Sequence, residues 1–327
     1  MLVTVASLES QIASLTTELR LSTPSQERIV GKLSTVVKIA QHANEPMGCM
    51  VCGDAGVGKT TIAQALIQLF GTGESRRPGY YSHSVGSYYV RVPSPVSVGH
   101  LCSDMLRMLG DYSPDSGTVP RRTARLTRLI GEVRPYFIVL DEIQHLFREM
   151  AASKRPVVRD WLKNLVDQTA VPFVLVGNDH VREFLDEDGQ SYRRFDTQIV
   201  VRTLNASIHE ELEEFQKFVA SYGQLINQQF CLDSEVDYKK KDFALALYSL
   251  TGGNLSAIRS AFQKALINSH LDGRLVGGNL SAVDFQGLHQ DIYFSKYRVI
   301  ENNPFEKRDR CIYDQIIAEL EKGNAVC

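Results

Sequence analysis

The sequence predicts an α/β protein with a five-stranded parallel sheet and a separate helical domain after it. Two observations lead to this fold class. Apolar, β-branched runs alternate with helical patterns through the middle of the chain, and the strand pattern stops from Ile208 onward. Because neighbouring parallel strands need crossover connections, the helical patterns between the runs favour a sheet covered on both faces.

The predicted strands are short runs rich in Val, Ile, Leu, Phe and Tyr. They are 47–52, 87–92, 136–141, 172–177 and 197–204. Helical patterns separate most of them, as a sheet with crossover helices requires. We therefore expect these five runs to form the core of the first domain.

Helical patterns dominate the remainder of the chain. They cover 208–226, 241–250, 254–270 and 281–293, with a final amphipathic helix over about 306–322. Near the first residue, Leu8, Ile12, Leu15 and Leu19 form one apolar stripe at helical spacing. Packing on the body explains this stripe best, and a partner-binding helix is the alternative.

Composition excludes several classes of protein. A formal net charge of -2 over 327 residues excludes a globally basic nucleic-acid coat but permits a local basic stripe. The six cysteines are scattered, which favours a reducing cytoplasm, and Cys49 and Cys52 are interpreted as structural thiols in a buried strand. No window holds the ~18 apolar residues of a membrane span, so we expect neither export nor membrane insertion.

A phosphate-binding motif follows the first predicted strand. The stretch "GDAGVGKT" fits G-x-x-x-x-G-K-[ST] between a strand and a helix, where main-chain N–H groups can face phosphate oxygens. The predicted nucleotide contacts are Gly53, Asp54, Ala55, Gly56, Val57, Gly58, Lys59, Thr60 and Thr61. Lys59 is expected to bridge the β- and γ-phosphates of ATP, and the Thr60 hydroxyl to bind Mg²⁺.

Two acids end the third predicted strand, in "FIVLDEIQHL". Asp141 is the candidate Mg²⁺ ligand, and Glu142 is the candidate base that activates water for attack on the γ-phosphate. A water-activating Glu argues against a small-molecule kinase. Asn178 follows the fourth strand, where its amide can hydrogen-bond the attacking water or the γ-phosphate; an ordinary turn is the alternative.

Arginines suggest two further contacts with nucleotide. Arg193 and Arg194 precede the last strand, and either suits an arginine finger that reaches a neighbouring subunit, although surface salt bridges are the commoner role for such pairs. Arg259, in "TGGNLSAIRSAFQKA", is either a nucleotide sensor or a plain surface arginine.

Contact with DNA has to come from local basic residues. The candidates are Arg121, Arg125, Arg128, Lys154 and Arg155, with Arg159 in the same segment as the last two. They could line a sequence-independent phosphate track, and a solvated face is the alternative for each taken singly. Tyr80, Tyr81, Tyr88 and Tyr89 could stack on bases, but a role in an edge strand is favoured.

Taken together, these motifs resemble the AAA+ ATPases, and more closely the TnsC/TniB group of transposition regulators. The resemblance covers roughly 25–295 and rests on "GDAGVGKTT", "FIVLDEIQHL", "VVRDWLKNL", "YRRFDTQIVV" and "TGGNLSAIRSAFQKAL". It implies strand order 5-1-4-3-2 and a C-terminal helical lid. The expected domains are an N-terminal helix or extension (1–24), an ATPase domain (25–205), a helical lid (206–295) and a C-terminal tail with a short helix that binds a partner (296–327).

The resemblance also implies a function. We expect an ATP hydrolase that uses Mg²⁺, assembles as a ring or helical filament on duplex DNA, and recruits a DDE-type transposase after a TniQ-like protein has marked the target. Gly177-Asn178 departs from the Gly-Thr of many TniB-like chains, so the sensor there follows the broader AAA+ pattern. The alternatives are an origin initiator or helicase loader, and a DNA scaffold that binds ATP without hydrolysing it.

Overall fold

The structure, a computed structural model, divides the chain into two compact units. One unit is Ser25–Arg202, and the other combines Met1–Pro24 with Thr203–Cys327. We refer to them as the sheet unit and the helical unit. The residues described are 8–18, 21–43, 47–72, 86–94, 97–148, 152–186, 194–233, 235–275, 278–305 and 312–324.

A five-stranded parallel sheet forms the centre of the sheet unit. Its strands are β1 (Cys49–Cys52), β2 (Tyr88–Arg91), β3 (Ile138–Asp141), β4 (Phe173–Val176) and β5 (Thr197–Val200). The order is β2-β3-β4-β1-β5, which confirms the expected order read from the opposite edge. The strands are shorter than their apolar runs, and beyond β5 the sheet continues through a bond from Val201 N to Cys52 O.

Helices cover both faces of this sheet. They are α2 (Pro24–Ala40), α3 (Lys59–Phe70), α4 (Val98–Met108), α5 (Val119–Val133), α6 (Arg155–Thr169) and α7 (His180–Asp186). Val51 and Val139 pack with Leu66 of α3 on one face, whereas Met50 and Leu140 belong to a separate buried cluster on the other. Successive strand residues thus serve opposite cores, which confirms a sheet buried on both sides.

The helical unit contains the two ends of the chain. Its helices are α1 (Leu8–Glu18), α8 (His209–Phe230), α9 (Lys241–Thr251), α10 (Leu255–Leu271), α11 (Val283–Gln286) and α12 (Ile312–Asn324). The prediction of one helix over 281–293 is wrong. The segment holds α11 and two separate 3-10 turns, and Asp291 starts the second of these by accepting a hydrogen bond from Tyr293 N at 2.9 Å.

Both terminal helices bury their apolar stripes inside the helical unit. Ile12 and Leu15 of α1 are buried in its core, and Gln263 Nε2 of α10 donates to Ile12 O at 2.9 Å. On α12, Ile316 is fully buried, and the Lys241 ammonium lies 4.9 Å from the ring centroid of Tyr313. Leu19, the last member of the predicted stripe, lies outside the described residues.

Among the residues that the structure describes, no helix is both long and apolar enough to cross a lipid bilayer.

Candidate active site

The carboxyl ends of β1, β3 and β4 meet at one edge of the sheet. Register explains why: Val51 of β1 pairs with Val176 of β4, and Val176 pairs with Asp141 of β3. The residues that follow these strands therefore lie side by side, as the topology of an open parallel sheet requires. This arrangement brings the predicted phosphate loop, the acid pair and Asn178 to one place.

Glycine is required where the loop leaves β1. Gly53 has a φ of 145°, and a Cβ built there would lie 2.1 Å from the carbonyl oxygen of Val201. At the other end, Gly58 precedes α3 with a φ of 97° and no side-chain cap. The first turn of α3 thus keeps main-chain N–H groups available to an anion, which is what a phosphate needs.

Gln26 supports this loop from α2. Its side chain is buried, and Nε2 donates a hydrogen bond to Val57 O at 3.1 Å. Sequence reasoning missed this contact because Gln26 lies 31 residues before Val57 and outside every recognised motif. Gln26 therefore fixes the middle of the loop, where a main-chain carbonyl would otherwise be unsatisfied.

Lys59 folds back over the loop. Its ammonium donates hydrogen bonds to Gly53 O at 2.7 Å and Asp54 O at 2.6 Å. Burial lowers the pKa of Lys59, and the nearby carboxylates of Glu142 and Asp141 oppose this shift. The Lys59 ammonium is thus a partly desolvated cation whose hydrogen bonds go to neutral carbonyl oxygens. A bound phosphate would give this cation a direct contact with negative charge.

Asp141 is a buried acid that accepts three hydrogen bonds. It is 1% exposed, and its Oδ2 accepts hydrogen bonds from Thr60 Oγ1 at 2.8 Å and Tyr89 Oη at 2.6 Å. Its Oδ1 accepts a third from the main-chain N–H of Glu142 at 2.9 Å. The two predicted Mg²⁺ ligands, Thr60 and Asp141, are therefore already in contact. The sequence did not predict the contact of Tyr89 with Asp141, since it favoured only an edge-strand role for this residue.

Glu142 has an unusual backbone conformation. Its φ is 59°, in the left-handed region, and its side chain is 29% exposed. Gln144 Nε2 donates a hydrogen bond to Glu142 Oε2, and His145 Nε2 lies 3.8 Å from the same oxygen. The carboxylate is thus partly open to solvent yet held on one side.

Asn178 lies two residues after β4, at the same sheet edge. Its main-chain N–H donates to Gln144 Oε1 at 3.3 Å. Its side-chain Oδ1 is buried and has no hydrogen-bond partner among the described residues. A buried acceptor of this kind costs free energy unless a further donor reaches it, and a bound water or ligand is the usual donor.

The candidate finger residues are not equivalent. Arg194 Nε lies 2.8 Å from Asp167 Oδ1 of α6, in a half-buried ion pair within one chain. Arg193 lies outside the described residues. Arg259 is a half-buried residue of α10 in the helical unit, and its charge acts against the burial that raises the pKa of Tyr222 to about 12.

The basic residues predicted to touch DNA fall into two groups. Arg121, Arg128 and Lys154 are exposed, although Arg128 pairs weakly with Glu132 at 3.7 Å. Arg125 instead secures the loop before α5, with an ion pair to Asp111 at 3.0 Å and hydrogen bonds to two carbonyls.

The two arginines that follow Lys154 in the chain segment 154–159 are less exposed than Lys154. Arg155 is half-buried, and Arg159 is buried with its guanidinium donating to Phe184 O at 2.9 Å. Arg159 therefore has a structural role.

The fold and this site define a class: a P-loop protein of the AAA+ type. A family model described as "Bacterial TniB protein" matches residues 11–204. The chain therefore belongs to the TniB family.

Several solved structures have a similar fold. The Aeropyrum pernix ORC1 protein in complex with DNA matches with a TM-score of 0.61 at 16% identity, covering 85% of this chain and 69% of that one. The ORC2 protein of the same organism, in ADPNP-ADP complexes, has a TM-score of 0.58 at 14% identity over 85% and 71%. Cdc6p from Pyrobaculum aerophilum has a TM-score of 0.57 at 14% identity over 85% and 70%. No curated protein is significantly similar to this sequence.

Proposed function

We propose that this protein is an ATP-dependent regulator of DNA transposition. It oligomerises on duplex DNA, links a target-selection protein to a DDE-type transposase, and disassembles when ATP is hydrolysed. The observation that supports this proposal is the convergence of Lys59, Thr60, Asp141 and Glu142 at one sheet edge in a chain of the TniB family.

The chain's own residues divide the work of binding. Lys59 and the N–H groups from Gly53 to Thr61 would hold the phosphates, while Thr60 and Asp141 would hold Mg²⁺. The buried Asp141 carboxylate already touches the Thr60 hydroxyl, so this donor set fits a hard, oxygen-seeking cation. When bound, Mg-ATP supplies the γ-phosphoryl group that is transferred to water.

Glu142 and Asn178 act on the water. Glu142 takes its proton, since its carboxylate lies beside the predicted Mg²⁺ ligand Asp141 and is partly exposed to a ligand. Asn178 orients the water or the γ-phosphate through its amide, and its unpaired buried oxygen supports a polar partner at that position. Arg259 would report nucleotide binding to the helical unit.

A neighbouring subunit completes the site in this proposal. Arg193 or Arg194 would reach the γ-phosphate from the next subunit, so hydrolysis depends on assembly. Exposed Arg121, Arg128 and Lys154 would contact DNA phosphates without reading sequence. Assembly on DNA therefore activates ATP hydrolysis, and ATP hydrolysis later causes the oligomer to disassemble.

The decisive experiment measures ATP turnover with and without duplex DNA, and images the protein with DNA and a non-hydrolysable ATP analogue by electron microscopy. We expect DNA-stimulated turnover and ordered oligomers on DNA. Glu142→Gln should abolish turnover yet retain the oligomers. Monomers without DNA contact would refute the proposal, and unchanged turnover in Glu142→Gln would refute the assigned base. Absence of turnover in the wild-type protein, with DNA binding retained, would leave the non-hydrolysing scaffold.

One other function has a specific observation in its favour. The fold is similar to that of the Aeropyrum pernix ORC1 protein in complex with DNA, which makes an origin initiator or helicase loader the second candidate. Pull-down with purified TniQ-like protein and transposase, against a replicative helicase, separates the two. Retention of the helicase alone would favour the second candidate.

A further inference from the structure

We propose that Gln144 is a positioning residue that sets Glu142 and Asn178 relative to each other through the two ends of one side-chain amide. This inference rests on the proposed function, because it assigns roles around the same base. Gln144 follows the acid pair in a 3-10 turn, Ile143–Leu146, and is 7% exposed.

The two hydrogen bonds of this amide run in opposite directions. Its Nε2 donates to Glu142 Oε2, and its Oε1 accepts from the main-chain N–H of Asn178 at 3.3 Å. The amide is planar, so its donor and acceptor have a fixed separation. A shift of the loop after β4 would therefore move the Glu142 carboxylate, and the reverse also holds.

Gly177 provides the room for this bridge. A Cβ at that position would lie 2.5 Å from Gln144 Oε1 and 2.4 Å from a methyl group of Val181. Its φ is not in the left-handed region, so the backbone conformation does not require glycine there. The close approach of the Gln144 amide is thus one of the contacts that a larger residue would disturb.

The bridge is separate from the phosphate loop. The hydrogen bonds of Gln144 side-chain atoms go to Glu142 and Asn178, whereas Lys59 and Gln26 bind the loop itself. Loss of the bridge should therefore slow the chemical step and leave nucleotide affinity unchanged. Misplacing a catalytic group by about 1 Å can cost ~10²-fold in rate.

Two variants separate the halves of the bridge. Gln144→Met removes both hydrogen bonds at similar volume. Gln144→Glu keeps an acceptor for the Asn178 N–H. It also replaces the amide donor with a second carboxylate, which cannot hydrogen-bond the Glu142 carboxylate. Gln168→Met, at an exposed position of α6, is the matched control.

The first measurement is hydrogen exchange of the Asn178 amide in nucleotide-free protein. We expect exchange at least about tenfold faster in Gln144→Met, and wild-type exchange in Gln144→Glu and Gln168→Met. Unchanged exchange in Gln144→Met would show that the bridge does not form, whatever the protein's function.

The second measurement compares kcat with the Kd of a fluorescent ATP analogue. We expect both Gln144 variants to lose about 10–100-fold in kcat with Kd within about twofold. A kcat near wild type, or an equal change in Kd, would overturn the inference. If wild-type protein shows no turnover at all, the proposed function fails, and the exchange result still reports on the bridge.

Discussion

The hydroxyl of Thr60 donates a hydrogen bond to Asp141 Oδ2 across 2.8 Å, although 81 residues separate the two in the chain. Tyr89, from the edge strand β2, donates to the same oxygen at 2.6 Å. The two candidate Mg²⁺ ligands are therefore held together by the fold itself. Tyr89 shares this oxygen, so it is the most direct way to test how the acid is held.

Tyr89→Phe should destabilise the nucleotide-free protein by about 1–2 kcal/mol, because a buried carboxylate loses a charge-assisted donor. Urea unfolding measures this free energy. Tyr112→Phe is the control, since Tyr112 is 79% exposed and should change stability by less than about 0.5 kcal/mol. Equal effects of the two substitutions would show that the Tyr89 hydrogen bond contributes nothing specific.

Gly53→Ala should destabilise the sheet unit by about 3 kcal/mol or more. The added methyl would meet Val201 O at 2.1 Å in a backbone conformation that L-residues avoid. Gly31→Ala, at an exposed position of α2 with open space around it, should instead stabilise the protein by about 0.5–1 kcal/mol. Denaturant midpoints of the two variants should therefore move in opposite directions from that of wild type.

A mixing experiment tests the finger. If the arginine acts from the neighbouring subunit, Glu142→Gln subunits should restore turnover when mixed with inactive Arg193→Ala subunits, because some interfaces then combine an intact base with an intact finger. ATP hydrolysis on DNA is the measurement. No recovery at any ratio would place the arginine's action within its own chain.

Arg194→Ala has a second expected effect, on folding. It removes the half-buried pair with Asp167, which should lower the free energy of unfolding by about 0.5–1 kcal/mol. Asp167→Ala should produce a similar loss, and the double variant should lose less than the sum. Additive losses would mean that the pair carries no coupling energy.

Salt dependence of DNA binding separates the two groups of basic residues. Arg121→Ala and Lys154→Ala should each weaken binding and reduce the slope of log affinity against log salt by about one. Arg125→Ala should leave the slope unchanged and lower thermal stability instead, since Arg125 holds Asp111 and two carbonyls of its own loop. Filter binding at several salt concentrations measures the slope, and an unchanged slope in both exposed variants contradicts the proposed phosphate track.

Because the Cys49 thiol is buried, we expect the free energy of unfolding to fall at alkaline pH. Burial raises its pKa from 9.0 to about 12, so the folded state holds this proton more tightly than the unfolded chain does. The resulting stabilisation is complete below pH 9.0 and is lost as pH rises toward 12, by at most about 1.4 kcal/mol per pH unit. Cys49→Ala should flatten this decline in urea unfolding between pH 9 and 11. An identical decline in the variant would exclude Cys49 as its source.

The sequence was sufficient for the sheet and for the residues inside motifs. Lys59 begins α3 after the loop that leaves β1, Asp141 ends β3, and Asn178 lies two residues after β4. Parallel strands bring these carboxyl ends together. Tyr89 and Gln26 could not be found this way, because each acts through a side-chain contact with a residue 31 or more positions away. Gln144 lies within a motif, yet its second contact is 34 residues distant.

The irregular part of the helical unit shows a different limit. The residues 281–293 have helical spacing, but Asp284 takes hydrogen bonds from Ser281 and Arg274, and Asp291 takes one from Tyr293. These local side-chain bonds compete with a continuous helix. Hydrophobic periodicity depends only on which residues are apolar, so it cannot predict where such side-chain hydrogen bonds interrupt a helix.

The position of α1 has a consequence for the order in which the chain folds. Gln263 and Ile12, which join α10 to α1, are 251 residues apart. During synthesis α1 emerges before the sheet unit, and at 11 residues it is too short to be stable alone in water. Its packing surface is made only after the whole sheet unit has been translated, so the sheet unit can fold first as an insertion. Completion of the helical unit then closes a loop of 251 residues between Ile12 and Gln263, and the entropy lost in closing so long a loop slows this step.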